Sequence, residues 1–285
     1  MEVEPAVLDV SEIARFVRLK SGIDVSRYRP ACFRRRVAHR MTMVGCRCVD
    51  EYFGRLTVDP DEIERLVDAV TIHVTGFFRD RDVFDALESE HVPALVARKA
   101  SGGLGALRVW SAGCSTGEET YSIAMMLERA LRDAGGNGGE GIEVFGTDVS
   151  ASACRAAMAG VFDNDRMTGL PAVLKNRYFR REGGSWRIGR ELRAFVKFKA
   201  HDLFSPPPYS MLDMIFCRNV LIHFEHRSRV AVMRHFHAAL AEWGLLVLGK
   251  SEALCSTTGA LFELVEPRFK IYTKRTVGSL SGEDR

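Results

Sequence analysis

The feature that most constrains the fold is a change of apolar spacing across residues 107–127, LRVWSAGCSTGEETYSIAMML. A short apolar run that includes Val109 and Trp110 meets small residues at Ser111, and apolar residues then recur at helical spacing from Gly117. This pattern predicts a strand, a glycine-bearing turn and a helix. In an open α/β sheet such a junction binds ligands, because backbone N–H groups at the helix start face the crevice at the strand ends.

The residues of this turn indicate which ligands it favours. Gly113 and Gly117 are spaced G-x-x-x-G, whereas dinucleotide folds use G-x-G-x-x-G and phosphate loops end in Gly-Lys-Ser/Thr. Glu118 and Glu119 lie where a bound phosphate would disfavour a carboxylate. The turn therefore favours a ligand with positive charge or with hydroxyl and amine groups, and an ordinary tight turn is the alternative.

A second strand and helix follow in IEVFGTDVSASACRAAM, residues 142–158. The strand ends in Asp148, and Ser150 is a candidate N-cap of an alanine-rich helix. In nucleotide-type folds an acid at the end of the second strand accepts hydrogen bonds from ribose hydroxyls. Asp148 is therefore a candidate ribose ligand, with a role as a simple helix cap as the alternative.

Composition limits the class of protein. With 285 residues, 46% of them hydrophobic, the chain can bury a large core in one large or two unequal domains. A net charge of +3 is too small to require a nucleic-acid partner. No apolar run approaches the ~18 residues of a membrane helix, and the acidic N-terminus does not resemble a signal peptide. We therefore expect no membrane insertion and a cytoplasmic location.

The cysteines predict neither disulfides nor a metal site. Seven of them are scattered along the chain without a C-x-x-C pair, which favours a reducing compartment. His39, Cys46 and Cys48 are close in sequence, but their spacing fits no common zinc site.

The chain divides into a helical N-terminal part and a sheet-containing remainder. A helix and the link SGGLG mark the boundary. A hairpin around Gly183 and Gly184 predicts a small antiparallel insertion at about residues 165–195. The predicted parts are a helical domain at 1–85, a linker at 86–105, a sheet domain at 106–275 and a disordered tail at 276–285.

The second helix of the N-terminal part is rich in arginine. Between Arg27 and Arg47 the chain has seven arginines and no acid. Such a run is usually a solvated face, but the absence of acids favours an anionic partner, either nucleic acid or an acidic protein surface. Helical spacing predicts one stripe formed by Arg29, Arg36, Arg40 and Arg47.

Two further segments end in polar residues. The segment TIHVTGFFRD carries Arg79 directly behind two phenylalanines, which are explained as core residues. The buried strand 212–217 is followed by Arg218 and Asn219, which by the switch-point rule face the ligand crevice.

Six motifs, taken in order, make the chain resemble the CheR-type methyltransferases. They are TGFFRD, WSAGCSTGEETYSIAM, FGTDVS, HDLF, FCRNVLIHF and LGKSEAL, and the resemblance extends from about Ser11 to Lys274. Members of this family esterify glutamates on bacterial chemoreceptors with S-adenosylmethionine and release S-adenosylhomocysteine. The resemblance implies a small all-helical N-terminal domain followed by a Rossmann-like, seven-stranded methyltransferase sheet with a small antiparallel β-subdomain.

The resemblance also implies roles for single residues. Arg79 would orient the substrate carboxylate as a fixed cation that cannot act as a base. His223 stands where many members have a tyrosine, and an imidazole can replace the phenol as a catalytic donor. His73 stands where many have an asparagine. The residues implied to bind the cofactor are Thr75, Arg79, Gly113, Glu118, Asp148, Asp202, Leu203, Arg218 and Asn219.

The partners follow from the same resemblance. The substrate would be the acidic methylation helices in the cytoplasmic part of chemoreceptors, bound by the arginine stripe of a monomeric enzyme. Two alternatives stay open. One is a non-catalytic S-adenosylmethionine-binding regulator. The other is a nucleic-acid methyltransferase, which the arginine run favours and the lack of aromatic stacking residues on that helix opposes.

Overall fold

The computed structural model of the protein describes residues 9–71, 75–102, 105–136 and 141–275. His73 and the predicted tail at 276–285 lie outside the described residues. The chain forms two compact units: Met1–His73 with Leu221–Arg229, and Val74–Val220 with Val230–Arg285.

The first unit is built from amphipathic helices. They are α1 (Ser11–Ser21), α2 (Pro30–Val44), α3 (Val49–Val58) and α4 (Pro60–Val70), with a 3₁₀ turn at Val25–Arg27. Helices α1 and α2 end at Gly22 and Gly45, whose φ angles of 76° and 78° are left-handed and suit a residue without Cβ. Each helix buries one apolar stripe, so the unit has its own core.

A buried carboxylate holds the helical unit together. Glu62 on α4 is fully buried and accepts hydrogen bonds from Arg40 Nε at 2.9 Å, Arg40 Nη2 at 2.6 Å and the Tyr52 hydroxyl at 2.9 Å. Burial alone would raise the pKa of Glu62, but the bonds from Arg40 and Tyr52 hold this pKa below its ordinary value. The Arg40 side chain is only 15% exposed. Arg40 is therefore an internal residue, and its assignment to an exposed stripe is corrected.

The other arginines of the predicted stripe differ in exposure. Because α2 ends at Val44, Arg29 is its N-cap residue and Arg47 lies beyond its end. Arg29 and Arg47 are exposed, whereas Arg36 is half-buried. The four arginines therefore do not form one continuous exposed helical face.

The second unit is built around parallel strands. The strands of the chain are β1 (Leu107–Ala112), β2 (Ile142–Asp148), β3 (Val161–Asp163), β4 (Phe179–Glu182), β5 (Ser185–Ile188), β6 (Val196–Ala200), β7 (Leu212–Cys217), β8 (Leu240–Leu248), β9 (Phe262–Glu266) and β10 (Ile271–Lys274). Over the described ranges, seven of them form one sheet in the order β6-β2-β1-β7-β8-β10-β9. Strands β6, β2, β1, β7 and β8 are parallel, and β10 is antiparallel to β8. The chain order reverses between β1 and β7, and ligands bind at the carboxyl ends of strands at such a switch point.

The remaining helices are α5 (Arg81–Ala86), α6 (Val92–Gly102), α7 (Glu118–Asp133), α8 (Ala151–Ala159), α9 (Ala172–Tyr178), α10 (Arg190–Arg193), α11 (His226–Ala239) and α12 (Ser256–Gly259). A π-helical turn at Leu87–His91 and 3₁₀ turns at Asn164–Met167 and Leu221–His223 complete the secondary structure that the model describes. Val83 and Phe84 on α5 pack in the core of the sheet unit. Helix α5 therefore belongs to the second compact unit.

The predicted fold class is confirmed. An all-helical N-terminal unit precedes a mostly parallel sheet, and a small antiparallel sheet of order β3-β5-β4 is inserted between β2 and β6. Its hairpin turns at Gly183 and Gly184, as the sequence predicts. The small sheet begins at Val161, ahead of the predicted start near residue 165, because β3 pairs with β5.

Removing the Arg40 guanidinium should destabilise the helical unit. We expect Arg40→Ala to lower the free energy of unfolding by about 3 kcal/mol, because it leaves the Glu62 carboxylate buried without its main partner. The control Arg35→Ala, exposed on the same helix, should cost less than about 0.5 kcal/mol. Urea unfolding followed by circular dichroism measures both, and equal costs would contradict the assignment.

The difference in stability between the wild type and Arg40→Ala should also depend on pH. Because the folded-state pKa of Glu62 is depressed, its stabilising contribution is present above the ordinary glutamate pKa of about 4.3 and is lost as pH falls through the folded value. The stability difference between the wild type and Arg40→Ala should therefore shrink in acid below that value.

Candidate functional site

The turn between β1 and α7 depends on glycines that leave no room for a side chain. Gly113 has φ 83° and Gly117 has φ 96°, both left-handed. A Cβ on Gly113 would lie 2.5 Å from Val220 Cγ2, and one on Gly117 would lie 2.9 Å from Ala157 Cβ. Space as well as backbone conformation therefore requires glycine at both positions.

Asp148 fixes this turn to the end of β2. Its carboxylate accepts the backbone N–H of Ser115 at 2.9 Å and the backbone N–H of Ser150 at 3.0 Å. Ser115 has φ 50°, which is uncommon for a residue with a side chain and needs such support. Ser150 caps α8 through its hydroxyl, as predicted. Asp148 therefore holds the turn, and a carboxylate has lone pairs enough to accept ribose hydroxyls as well.

The side chain of Glu118, the first glutamate of α7, bonds to a neighbouring loop. Glu118 is fully buried, accepts the Thr116 hydroxyl at 2.7 Å and forms an ion pair with Arg166. Arg166 also donates to the Thr116 hydroxyl at 2.9 Å. These bonds connect the glycine turn to the segment that follows β3.

The second glutamate lies between strand ends. Glu119 accepts the Ser111 hydroxyl at 2.9 Å and lies 3.4 Å from Nη1 of Arg218. Burial raises the pKa of Glu119, and the charges of Arg218 and Arg79 act in the opposite direction. Glu119 therefore occupies the crevice near both arginines that the family resemblance implicates.

Arg218 links three segments of the sheet unit. Its side chain is 1% exposed and pairs with Asp80 as well as with Glu119. Asp80 is left-handed at φ 54°, and it ends the TGFFRD segment. The same segment is attached to α7, because the Phe78 N–H donates to Ser122 Oγ at 2.9 Å. Arg79 thus projects from a segment fixed at both neighbouring positions.

The HDLF loop lies next to Asp148. The His201 N–H donates to the Asp148 carbonyl at 2.8 Å, and the Asp202 carboxylate accepts the Phe204 N–H at 3.0 Å. Leu203 is buried, with its carbonyl oxygen 3.1 Å from His235 Nδ1. The loop that contains Asp202 and Leu203 is therefore fixed beside the turn.

Two further predicted site residues lie in the sheet unit. Asn219 follows β7 in a left-handed conformation with φ 60°, and its N–H donates to Glu252 Oε2 at 2.9 Å. Thr75 is half-buried ahead of the TGFFRD phenylalanines.

His223 belongs to the helical unit. Its carbonyl accepts the Arg29 N–H at 2.9 Å, and its Nδ1 atom lies 3.9 Å from Cys32 Sγ. Tyr28 and Phe224 pair in a β-bridge with their rings edge to face at 5.1 Å. The catalytic role of His223 stays a prediction, and the structure gives it Cys32 as a side-chain neighbour.

Family models match the chain along most of its length. Residues 8–71 match the all-alpha domain of CheR methyltransferases, and residues 73–270 match their SAM-binding domain. The chain belongs to the CheR methyltransferase family. Its cofactor is S-adenosylmethionine.

Three relatives illustrate the range of the family. The chain is 30% identical to a chemotaxis protein methyltransferase of Listeria monocytogenes, over 86% of this chain and 90% of the relative. It is 39% identical to chemotaxis protein methyltransferase 1 of Pseudomonas aeruginosa, over 67% and 70%. It is also 34% identical to an uncharacterized 104.1 kDa protein of Rhodobacter capsulatus, over 99% of this chain but 29% of that protein. The chain therefore spans less than a third of the length of the last relative.

The residues of the crevice fit S-adenosylmethionine, which carries a sulfonium, an ammonium, a carboxylate and ribose hydroxyls. The carboxylates of Glu118, Glu119 and Asp148 suit the cations and the hydroxyls. Asn219 Oδ1 is buried without a hydrogen-bond donor in the part of the chain that the structure describes. A buried acceptor of this kind suits an amine donor.

The sequence analysis assigns no site role to Asp80 or Glu252, and it names Glu119 only as a carboxylate of the turn. Asp80 and Glu119 stand beside predicted residues, and Glu252 lies in a motif to which no role was given. Their partners come from distant segments, so only the fold reveals them. Over the described ranges, no cluster of side chains suited to a metal ion is found. Within the same ranges, no helix is both long and apolar enough to cross a membrane.

Adding a methyl group at the glycine turn should weaken cofactor binding. We expect Gly117→Ala to cost about 1–3 kcal/mol of stability through overpacking and to lower the affinity for S-adenosylmethionine as the turn shifts. Gly135→Ala is a matched control, since Gly135 has φ 84° but its Cβ would meet nothing within 4 Å. Calorimetric titration compares the two. Equal affinities would show that the turn does not contact the cofactor.

Proposed function

We propose that this protein transfers the methyl group of S-adenosylmethionine to glutamate side chains of chemoreceptors, giving glutamate 5-O-methyl esters. Membership of the CheR family and the names of its chemotaxis relatives support the acceptor class. The observation that supports the chemistry is the buried Arg218–Glu119 pair at the switch point of the sheet, with Arg79 close enough for its charge to act on Glu119. We further propose that the protein is cytoplasmic and acts as a monomer.

Bound S-adenosylmethionine supplies an electrophilic methyl group on a sulfonium. An ionised carboxylate needs no general base to attack it, so the chain has only to hold the acceptor in line and exclude water. Arg79 is suited to orient the carboxylate, because a guanidinium presents a rigid fork and stays protonated. Arg218 is already bonded to Asp80 and Glu119, so we assign it to holding the crevice. His223 is proposed as a hydrogen-bond donor to the acceptor.

The exposed arginines of the helical unit are proposed to bind the acidic methylation helices of the receptor. Arg29 and Arg47 are exposed and carry this proposal, and Arg36 is half-buried. Arg40 is excluded from it by its bond to Glu62. Each exposed contact is weak alone, because solvent and salt screen such charges beyond about 8 Å.

The chemical identity of the product tests the proposal. With labelled S-adenosylmethionine and membranes that carry chemoreceptors, we expect label that mild base releases as methanol, since esters hydrolyse where methylated amines and nucleic acids do not. Arg79→Ala should lower turnover far more than cofactor affinity, and Arg79→Lys should rescue it poorly because the guanidinium fork is lost.

The control for Arg79 is Arg81→Ala, an exposed neighbour that pairs only with Asp85 among the residues described. Base-stable label would reject esterification, and cofactor binding without any transfer would favour a regulator. Normal turnover in Arg79→Ala would remove Arg79 from the reaction.

Charge reversal at the exposed arginines tests the partner. Arg29→Glu combined with Arg47→Glu should raise the Michaelis constant for receptor and change how this constant depends on salt concentration. The affinity for the cofactor should stay the same. The control reverses Arg234 and Arg268, which are exposed in the sheet unit. Receptor methylation that ignores the reversal, together with RNA or DNA binding that the reversal abolishes in gel shifts, would instead support a nucleic-acid methyltransferase.

A further inference from the structure

One carboxylate connects the ends of β7 and β8. Glu252 is 4% exposed, and its Oε2 atom accepts the Gly249 N–H at 2.7 Å and the Asn219 N–H at 2.9 Å. Gly249 directly follows β8, and Asn219 lies just after β7. Bonds to an ionised acceptor are stronger than neutral ones, so a single side chain fixes both strand ends at the crevice.

Gly249, Asn219 and Glu252 are packed so closely that they have little room to move. A Cβ on Gly249 would lie 2.7 Å from Glu252 Oε2, 2.8 Å from the Asn219 nitrogen and 3.2 Å from Asn219 Nδ2. No side chain fits there without displacing the backbone of Asn219. The position of the Asn219 backbone and that of its carboxamide are therefore set by the same close packing.

Asn219 itself shows two unusual properties. Its left-handed φ of 60° is uncommon for a residue with a side chain, although asparagine adopts it more readily than most. Its Oδ1 atom is buried and has no donor among the residues that the structure describes. A buried acceptor without a donor is costly unless a ligand supplies one.

We propose that Glu252 is a positioning residue for the cofactor. By holding the Asn219 N–H, it keeps the left-handed turn after β7 and aims the Asn219 carboxamide at an amine donor of S-adenosylmethionine. This gives a role to the LGKSEAL motif, in which Glu252 lies. The inference rests on the cofactor-binding role that the family resemblance implies for Asn219, and it does not depend on the methyl acceptor.

A double-mutant cycle separates positioning from general stabilisation. We expect Asn219→Ala and Glu252→Ala each to weaken S-adenosylmethionine binding by about three- to tenfold. Because Glu252 acts through Asn219, the double variant should bind no more weakly than Asn219→Ala alone. Calorimetry on the full chain gives the affinities, and circular dichroism verifies folding. Glu263→Ala, exposed on β9, is the control and should bind like the wild type.

Conservative variants keep the test decisive if Glu252→Ala does not fold. Glu252→Gln retains an oxygen acceptor at the same reach and should keep most of the affinity, whereas Glu252→Asp is one methylene shorter and should lose it. Additive losses in the cycle, or wild-type affinity in Glu252→Asp, would overturn the inference. Full affinity in Asn219→Ala would also overturn it, while base-labile methylation of receptor, measured separately, would stand.

Discussion

The crevice depends on the hydrogen bonds that the Asp148 carboxylate accepts. One of them holds Ser115 in a left-handed conformation, and the other fixes Ser150 at the start of α8. The N–H groups of Gly113 and Cys114 also donate to the Thr147 carbonyl at 2.8 Å each, so the bond from Ser115 to Asp148 completes the attachment of the β1 turn to the end of β2. Because the glycines of that turn leave no space for side chains, a small displacement of Ser115 would change the surface that is proposed to face the cofactor. A single acid at a strand end thus organises two strand–helix junctions.

How far the sequence predicts the structure depends on the distance between partners. The change of apolar period at Ser111 is a local signal, and it predicts the strand, the turn and the helix that the structure contains. The neighbouring glutamates show the limit. Both lie in the first turn of α7, yet Glu118 pairs with Arg166 and Glu119 with Arg218, residues that come much later in the chain. Helical spacing predicts the relative directions of the Glu118 and Glu119 side chains. It does not predict which of the two side chains faces the crevice of the sheet.

The arginines show the same limit for charge patterns. A helical projection of α2 groups Arg40 with exposed arginines, because it contains no information about α4. Glu62, 22 residues away, is buried against it and makes it an internal residue. Arg218 is likewise internal because Asp80 and Glu119 surround its guanidinium. Arg40 and Arg218 are both internal because their carboxylate partners come from distant parts of the chain, and only the fold places these partners within reach.

The charges in the crevice indicate which reactants it attracts and which it repels. Arg218 pairs with both Asp80 and Glu119, and Arg166 pairs with Glu118, so with Asp148 there are four carboxyl groups beside these two guanidinium groups. Such a surface attracts a cationic cofactor and repels a free carboxylate. Under the proposed function an anionic acceptor needs a cation to face it, and the charge of Arg79 acts on Glu119 at this crevice. The electrostatics that favour the sulfonium therefore support the role proposed for Arg79 in meeting the acceptor carboxylate.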